Sequence, residues 1–124
     1  MVTGIGVDII EIERIKKSIL KYGEAFLKKI FTDSEIKYCN SKVNLYQHYA
    51  VRFAAKEAIY KAFPSDCQHR LNWQSLEIIT DDSGKPYVIF LKSAIALQKR
   101  GYKVQISLSH SDDYAICTAL TIQE

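Results

Sequence analysis

The chain is poor in the residues that mark specialised classes of protein. Its 124 residues include three cysteines, two prolines, five glycines, one methionine and one tryptophan. Cys39, Cys67 and Cys117 are odd in number, widely spaced and in no C-x-x-C pair. That excludes a disulfide framework and describes free thiols in a reducing cytosol. Cys67 and His69 are close together, but no second ligand pair follows, so a plain loop explains them better than zinc does. No repeat, low-complexity tract or linker is visible. No stretch approaches the roughly 20 apolar residues that span a bilayer. No basic segment leads into an apolar run with a cleavage site, as a signal peptide would require. The expectation is a cytoplasmic protein without membrane contact. Neither sign of charge dominates: 17 Lys and Arg against 14 Asp and Glu leave a formal charge of +3. That falls short of a dedicated nucleic-acid binder and suits a protein that handles phosphorylated small molecules or meets an acidic partner.

What is present is an ordinary globular balance, 48% hydrophobic and 25% charged, over a length that suits one domain, residues 1–124. Residues 2–10 are β-branched and glycine-bearing and read as a buried strand. From Glu11 the period becomes helical through Ile12, Ile15, Ile19 and Tyr22, and Gly23 is a natural stop. Thr32-Asp33-Ser34-Glu35 offers N-cap chemistry for a short helix to about Cys39. A long helix is expected from Asn44 to Ala62, ended by Pro64. Ser75–Thr80 and Pro86–Leu91 read as strands joined by the turn Asp81–Lys85. Ser93–Arg100 reads as a helix closed by Gly101. Tyr102–Ser109 and Tyr114–Ile122 read as two more strands around Ser111-Asp112-Asp113. The order β-α-α-α-β-β-α-β-β predicts an α+β domain with helices covering a mostly antiparallel sheet.

Two carboxylates stand where a solvated charge does not belong. Asp8 interrupts Gly4-Ile5-Gly6-Val7-Asp8-Ile9-Ile10, and Glu57 lies in the alanine-rich helix Arg52–Ala62. A carboxylate in an apolar frame needs a partner, and a hard cation is a common one. Mg²⁺ often takes only one or two protein carboxylates beside substrate oxygens. On a helical wheel Val51, Ala54, Ala55, Ala58 and Ala62 form the buried stripe, and the alanines imply close approach by another element. Glu57 and Lys61 border that stripe, while Arg52 and Lys56 project from the other side. The plainer account of Glu57 and Lys61 is an i,i+4 surface pair giving about 0.2–0.5 kcal/mol. The plainer account of Asp8 is a helix N-cap, although Ile9 and Ile10 intervene before the helix. Ser107–Ala115 ends a strand in hydroxyls and His110, an edge suited to phosphate or ribose oxygens. A Ser-His-Asp hydrolase is disfavoured because no G-x-S-x-G elbow is present and adjacent strand residues point to opposite faces.

Taken in order, these segments resemble the holo-acyl-carrier-protein synthases, the small bacterial class of 4′-phosphopantetheinyl transferases. The match covers nearly the whole chain. It is strongest at Gly4–Asp8 running into Glu11–Ile15, and at Arg52–Ala58 running through Lys61-Ala62. Trp73 before Leu76-Glu77-Ile78, Gly84-Lys85-Pro86 and Ser107–Ala115 are weaker echoes. The resemblance implies that Asp8 and Glu57 hold Mg²⁺ and that Lys61 lies near the coenzyme A pyrophosphate. It also implies that His110 and the loop Gly84-Lys85-Pro86 bind coenzyme A. The implied reaction is attack by a serine of an apo acyl carrier protein on the phosphorus bearing pantetheine. Adenosine 3′,5′-bisphosphate is released, in the service of fatty acid biosynthesis. Glu57 or a metal-held water would serve as base. Homotrimers with sites at subunit interfaces are common in that family. Two departures stand out: Ala62-Phe63-Pro64 replaces the usual Ala-Leu-Gly, and Ser65–Arg70 replaces a glycine-bearing loop. On the first helix Arg14, Lys17 and Lys21 fall within about 60° of one another. They form a basic ridge, with Lys28 and Lys29 as candidates to extend it, that suits an acidic carrier protein. A Mg²⁺-dependent phosphohydrolase or nuclease is the alternative reading of the same carboxylates, and a nucleic-acid module is disfavoured for want of a recognisable motif.

Overall fold

Alternation along the first strand decides how the two halves of the molecule meet. The computed structural model describes residues 1–124. Its elements are β1 (Val2–Glu11), α1 (Ile12–Tyr22), α2 (Glu24–Ile30), α3 (Asp33–Asn40), α4 (Leu45–Ala62), β2 (Leu76–Thr80), β3 (Pro86–Phe90), α5 (Ile95–Lys99), β4 (Tyr102–His110) and β5 (Tyr114–Gln123). Strands β1, β5 and β4 form an antiparallel sheet in that order, and β2 and β3 form a separate antiparallel ribbon. The α+β class and antiparallel pairing are as expected. The strands divide into two sheets, and α2 is an additional helix. Gly23 does stop α1, at φ 59°, but a new helix resumes in the next residue.

Helix α4 crosses the inner face of the larger sheet. Gly4 and Gly6 face it with Asp8 and Ile10, because side chains two apart share a face. A Cβ on Gly4 would collide with the carbonyl oxygen of Ala62, and one on Gly6 with that of Ala58. The alanine stripe and the two glycines are therefore one contact, each surface cleared of side chains so that backbones meet. Ala54, Ala55, Ala58 and Ala62 are all buried there. The helix ends at Ala62 with Phe63 in extended geometry, as the following proline demands. Thr121 Oγ1 donates to the buried carbonyl of Ala62 at 3.0 Å.

The opposite face of the sheet is open. Ile5, Val7 and Ile9 are 68%, 52% and 60% exposed, so the expected buried strand is buried on alternate residues only. In register beside them are Leu120, Thr118 and Ile116 of β5. The core lies on the other side, between the sheet, α4 and the flanking helices. All three cysteines are free, buried thiols. Cys67 points at the Tyr102 hydroxyl, 3.6 Å away, and no group of three or more His, Cys, Asp or Glu is arranged to hold a metal.

Arg52 and Lys56 do not project from α4 into solvent; they are 2% and 3% exposed. The wheel assumed one covered face, whereas α3 and β2 cover the other. Lys56 Nζ donates to Glu35 Oε1 at 2.7 Å, to the Trp73 carbonyl at 2.7 Å and to the Ile30 carbonyl at 2.9 Å. Glu35 completes the capping box of α3 with Thr32 and accepts from Ile78 N–H at 2.8 Å. One ion pair thereby ties together α2, α3, α4, β2 and the loop before it.

Candidate active site

The glycine–alanine contact sets Asp8 against the last turns of α4. Lys61 Nζ donates to Asp8 Oδ1 at 3.0 Å and to the Val7 carbonyl at 3.3 Å. Asp8 is not a helix cap, since Glu11 occupies that position and makes no side-chain cap bond. Nor do Glu57 and Lys61 form a pair within 4 Å; Lys61 turns to Asp8 instead. Glu57 is held above its usual carboxyl range, first by burial and then by the negative charge of Asp8, against the opposing pull of Lys61. The residues thus make an acid–acid–lysine group with one cation for two carboxylates. A cleft of about 390 Å³ opens beside it, lined by Asp8, Glu57, Arg14, Ser18, Phe26 and Phe53, among others. Arg14 of the basic ridge therefore reaches the same cleft, while Lys17 and Lys21 lie exposed farther along α1.

His110 and the Gly84-Lys85-Pro86 loop lie elsewhere. His110 ends β4, whose neighbour β5 separates it from β1. Strand spacing and register put its Cα roughly 12 Å from that of Asp8. The loop caps the β2–β3 ribbon, where Asp81 Oδ1 accepts from the N–H groups of Ser83 and Lys85, both at 2.9 Å. Near this second region lies a cation that a helical wheel assigns to solvent. The Arg52 guanidinium donates to Thr80 Oγ1 at 3.1 Å and to the His48 carbonyl at 3.4 Å, and it covers the Tyr38 ring at 4.4 Å. Its Nε is buried without a partner, and no carboxylate lies within ion-pair distance. His48 beside it is held below its usual range, first by burial, then by the charges of Arg52, Lys42 and His110. A basic residue inside the apolar run Ala50-Val51-Arg52-Phe53-Ala54-Ala55 was the available signal. Arg52 and Glu57 are about 140° apart around α4, so the helix body separates the two regions.

An antiparallel α+β domain that sets two carboxylates and a lysine beside an open cleft has the constitution of a phosphoryl-transfer enzyme. Comparison with known proteins makes the class specific. Residues 4–119 match the 4′-phosphopantetheinyl transferase superfamily, and the chain belongs to that family of transferases. It is 44% identical over 116 residues to a holo-(acyl-carrier-protein) synthase of Chloroherpeton thalassium, covering 94% of each chain. Its fold matches the crystal structure of the holo-(acyl-carrier-protein) synthase from Neisseria meningitidis with a TM-score of 0.86 at 27% identity, over 99% of this chain and 100% of that one. The Bacillus anthracis synthase in complex with CoA (3′,5′-ADP) matches with a TM-score of 0.82 at 31% identity, over 100% and 99% of the chains. No helix is long and apolar enough to cross a membrane.

Proposed function

We propose that residues 1–124 act as one transferase domain that moves 4′-phosphopantetheine from coenzyme A to a serine of apo acyl carrier protein. The observation that carries this reading is the meeting of Asp8, Glu57 and Lys61 beside a cleft that Arg14 also lines. The serine oxygen forms a bond to the phosphorus that bears pantetheine, and the bond from that phosphorus to the departing pyrophosphate oxygen breaks. The serine proton goes to a base, and adenosine 3′,5′-bisphosphate leaves. Lys61 is half-exposed and holds Asp8 by a single bond, so its ammonium can turn to the charge that grows on the leaving oxygen.

The donor set fits Mg²⁺. Two carboxylates close enough for one to raise the other's pKa gain from a cation between them, and both offer hard oxygens. Asp8 and Glu57 would hold the ion, which when bound supplies neutralisation of pyrophosphate charge. Arg52, His110 and the Gly84-Lys85-Pro86 loop form the second phosphate-binding region for coenzyme A. Because the α4 body stands between the regions, we assign the two halves of one coenzyme site to neighbouring copies in a homotrimer. The open sheet face with Ile5, Val7 and Ile9 supports that assembly, since a monomer would leave this apolar patch in water. Arg14, Lys17 and Lys21 would meet the acidic carrier protein in the cytoplasm, as a step serving fatty acid biosynthesis.

The test is direct. The purified chain, coenzyme A, Mg²⁺ and an apo acyl carrier protein are combined and read by intact mass. A gain equal to phosphopantetheine is expected. No gain, with a carrier protein that another transferase does modify, overturns the reading in favour of a phosphohydrolase. Light scattering of the same sample tests the trimer.

A further inference from the structure

Helix α2 is too short to stand by itself. Its seven residues fall below the length at which isolated helices persist in water. The carbonyls of a last turn find no partners inside their own helix, and here side chains from distant parts of the chain meet them. Gln74 Nε2 donates to the Phe31 carbonyl at 2.6 Å and to the Lys28 carbonyl at 2.7 Å. Lys56 Nζ donates to the Ile30 carbonyl between them at 2.9 Å. Both partners of the Gln74 amide are carbonyl oxygens, so only its NH2 end can face them. The loop that presents Gln74 is folded on itself. Asn72 Oδ1 accepts from Gln74 N–H at 3.0 Å, while Ser75 Oγ accepts from Asn72 N–H and donates to the Asn72 carbonyl, both at 2.9 Å. What this tie joins are the two aromatic walls of the Asp8 cleft. Phe26 stands on α2 and meets the buried Phe31 edge-on, with centroids 6.4 Å apart. Opposite it, Phe53 stacks on Trp73, the residue before Gln74, with centroids 5.0 Å apart and planes 28° from parallel. Lys56 makes the same connection from inside, holding the Trp73 and Ile30 carbonyls on one ammonium, but it also serves the Glu35 ion pair. The Gln74 side chain makes no bond except the two to α2.

We propose that Gln74 is a positioning residue for the carrier protein. By holding α2 to the Trp73 loop it sets the gap between Phe26 and Phe53, through which the carrier serine approaches Asp8 and Glu57. The assignment rests on the transferase reading above. Gln74 touches no reacting atom and acts only through α2. Asp8 stands on β1, and Glu57 and Lys61 on α4, so a loosened α2 leaves the acid–acid–lysine group assembled. No hydrogen bond joins α2 to Arg52, His110 or the Gly84-Lys85-Pro86 loop, the region assigned to coenzyme phosphates. Loss of the tie should therefore be felt by the carrier protein and hardly at all by coenzyme A.

Gln74→Met supplies the test, because it keeps the length of the side chain, removes both donors and adds no charge that could steer an acidic partner. Hydrogen exchange and steady-state kinetics are measured on the full chain, wild type beside variant. The amides of α2 should exchange about tenfold faster in the variant, the worth of two hydrogen bonds, while those of α4 keep the wild-type rate. The KM for apo acyl carrier protein should rise about fivefold. The KM for coenzyme A and kcat should stay within about twofold of wild type. Gln74 is only half-buried on a loop that its neighbours fold, so the variant keeps the core intact. Faster exchange throughout the chain, with equal changes in both KM values, would make Gln74 a structural residue only and overturn the proposal. An unchanged carrier-protein KM in a variant whose α2 has loosened overturns it too, as does unchanged exchange in α2. A wild-type protein that transfers nothing to a competent carrier protein overturns the transferase reading instead.

Discussion

Helix α4 carries two lysines that each meet a carboxylate, and the two pairs have opposite characters. Lys56 lies 2.7 Å from Glu35 with both side chains at 2% exposure or less. Lys61 lies 3.0 Å from Asp8, with the lysine 52% exposed and the aspartate 17%. In the first pair the ammonium donates to three oxygens, and both carboxylate oxygens are used as well. Nothing remains to offer a ligand. In the second pair the lysine has water on its open side, and an extra carboxylate, Glu57, has no cation of its own within bonding distance. Saturation makes a joint between elements; incomplete satisfaction beside a cleft makes a site that can exchange partners. Burial also acts differently on the two. It pushes the Lys56 ammonium below its usual range, with Glu35 pulling it back, whereas at Glu57 burial and Asp8 push the same way.

The largest effect should come from breaking the saturated pair. Lys56→Met leaves the Glu35 carboxylate buried without its cation, a loss of about 3–5 kcal/mol in unfolding free energy. Lys61→Met should change stability by no more than about 1 kcal/mol, because its pair is exposed and screened. Transfer activity should fall in Lys61→Met at wild-type melting temperature. Denaturant melts beside the mass-based assay check both, and comparable destabilisation by the two substitutions would erase the distinction between the pairs.

A smaller effect sharpens the comparison at the carboxylates. Asp8→Asn and Glu57→Gln should each reduce transfer by about a hundredfold or more, through loss of an oxygen proposed to hold Mg²⁺. Stability should move the other way for Glu57. Its folded pKa lies above the ordinary 4.5, so the native state holds that proton more tightly than the unfolded chain does. The resulting penalty is absent in acid and grows as pH rises from about 4.5 through the raised value. In metal-free buffer near neutral pH, Glu57→Gln should therefore melt at or above wild type, and the gain should vanish in acid. Adding Mg²⁺ should raise the wild-type melting temperature and leave Glu57→Gln unmoved. Equal stabilisation of both by Mg²⁺ would remove Glu57 from the ion site.

Local pattern disclosed some of this arrangement and hid the rest. The alanines of α4 carried a legible message of close approach, the matching role of Gly4 and Gly6 emerged only in the fold, and Asp8 and Glu57 were conspicuous because each broke an apolar pattern. The capping box at Thr32 and Glu35 was legible too, since it closes within four residues. The second task of Glu35 was not, because its lysine lies 21 residues away and only the tertiary fold brings them together. Arg52 and Lys56 were misplaced for a related reason: a wheel assigns charges to water, and α4 has little water around it. Helix α2 was hidden behind Gly23, although Phe26, Leu27 and Ile30 carry helical spacing. The separation of His110 from Asp8 depends on strand order, which chain order does not reveal.

The basic ridge supplies a third kind of charge, solvated and neither saturated nor poised, and its effect should be the smallest. Lys17 and Lys21 are exposed on α1, and Lys21 Nζ lies 5.2 Å above the Tyr22 ring rather than beside a carboxylate. Lys28 is partly committed, 4.0 Å from Glu24 on the same helix. Arg14 differs from its neighbours because it lines the cleft with Asp8 and Glu57. Rim charges act on association rate and are screened over about 8 Å at physiological ionic strength. Lys17→Glu with Lys21→Glu should therefore raise the KM for the carrier protein about fivefold at low salt, and much less at high salt. The KM for coenzyme A and kcat should stay within about twofold of wild type. Arg14→Glu should lower kcat as well, since it places a third negative charge in a cleft that already holds two. Steady-state kinetics at two ionic strengths separate these outcomes. Equal changes in both KM values, or no salt dependence in wild type, would make the ridge ordinary solvated surface. A normal kcat in Arg14→Glu would place that arginine with Lys17 and Lys21 at the rim.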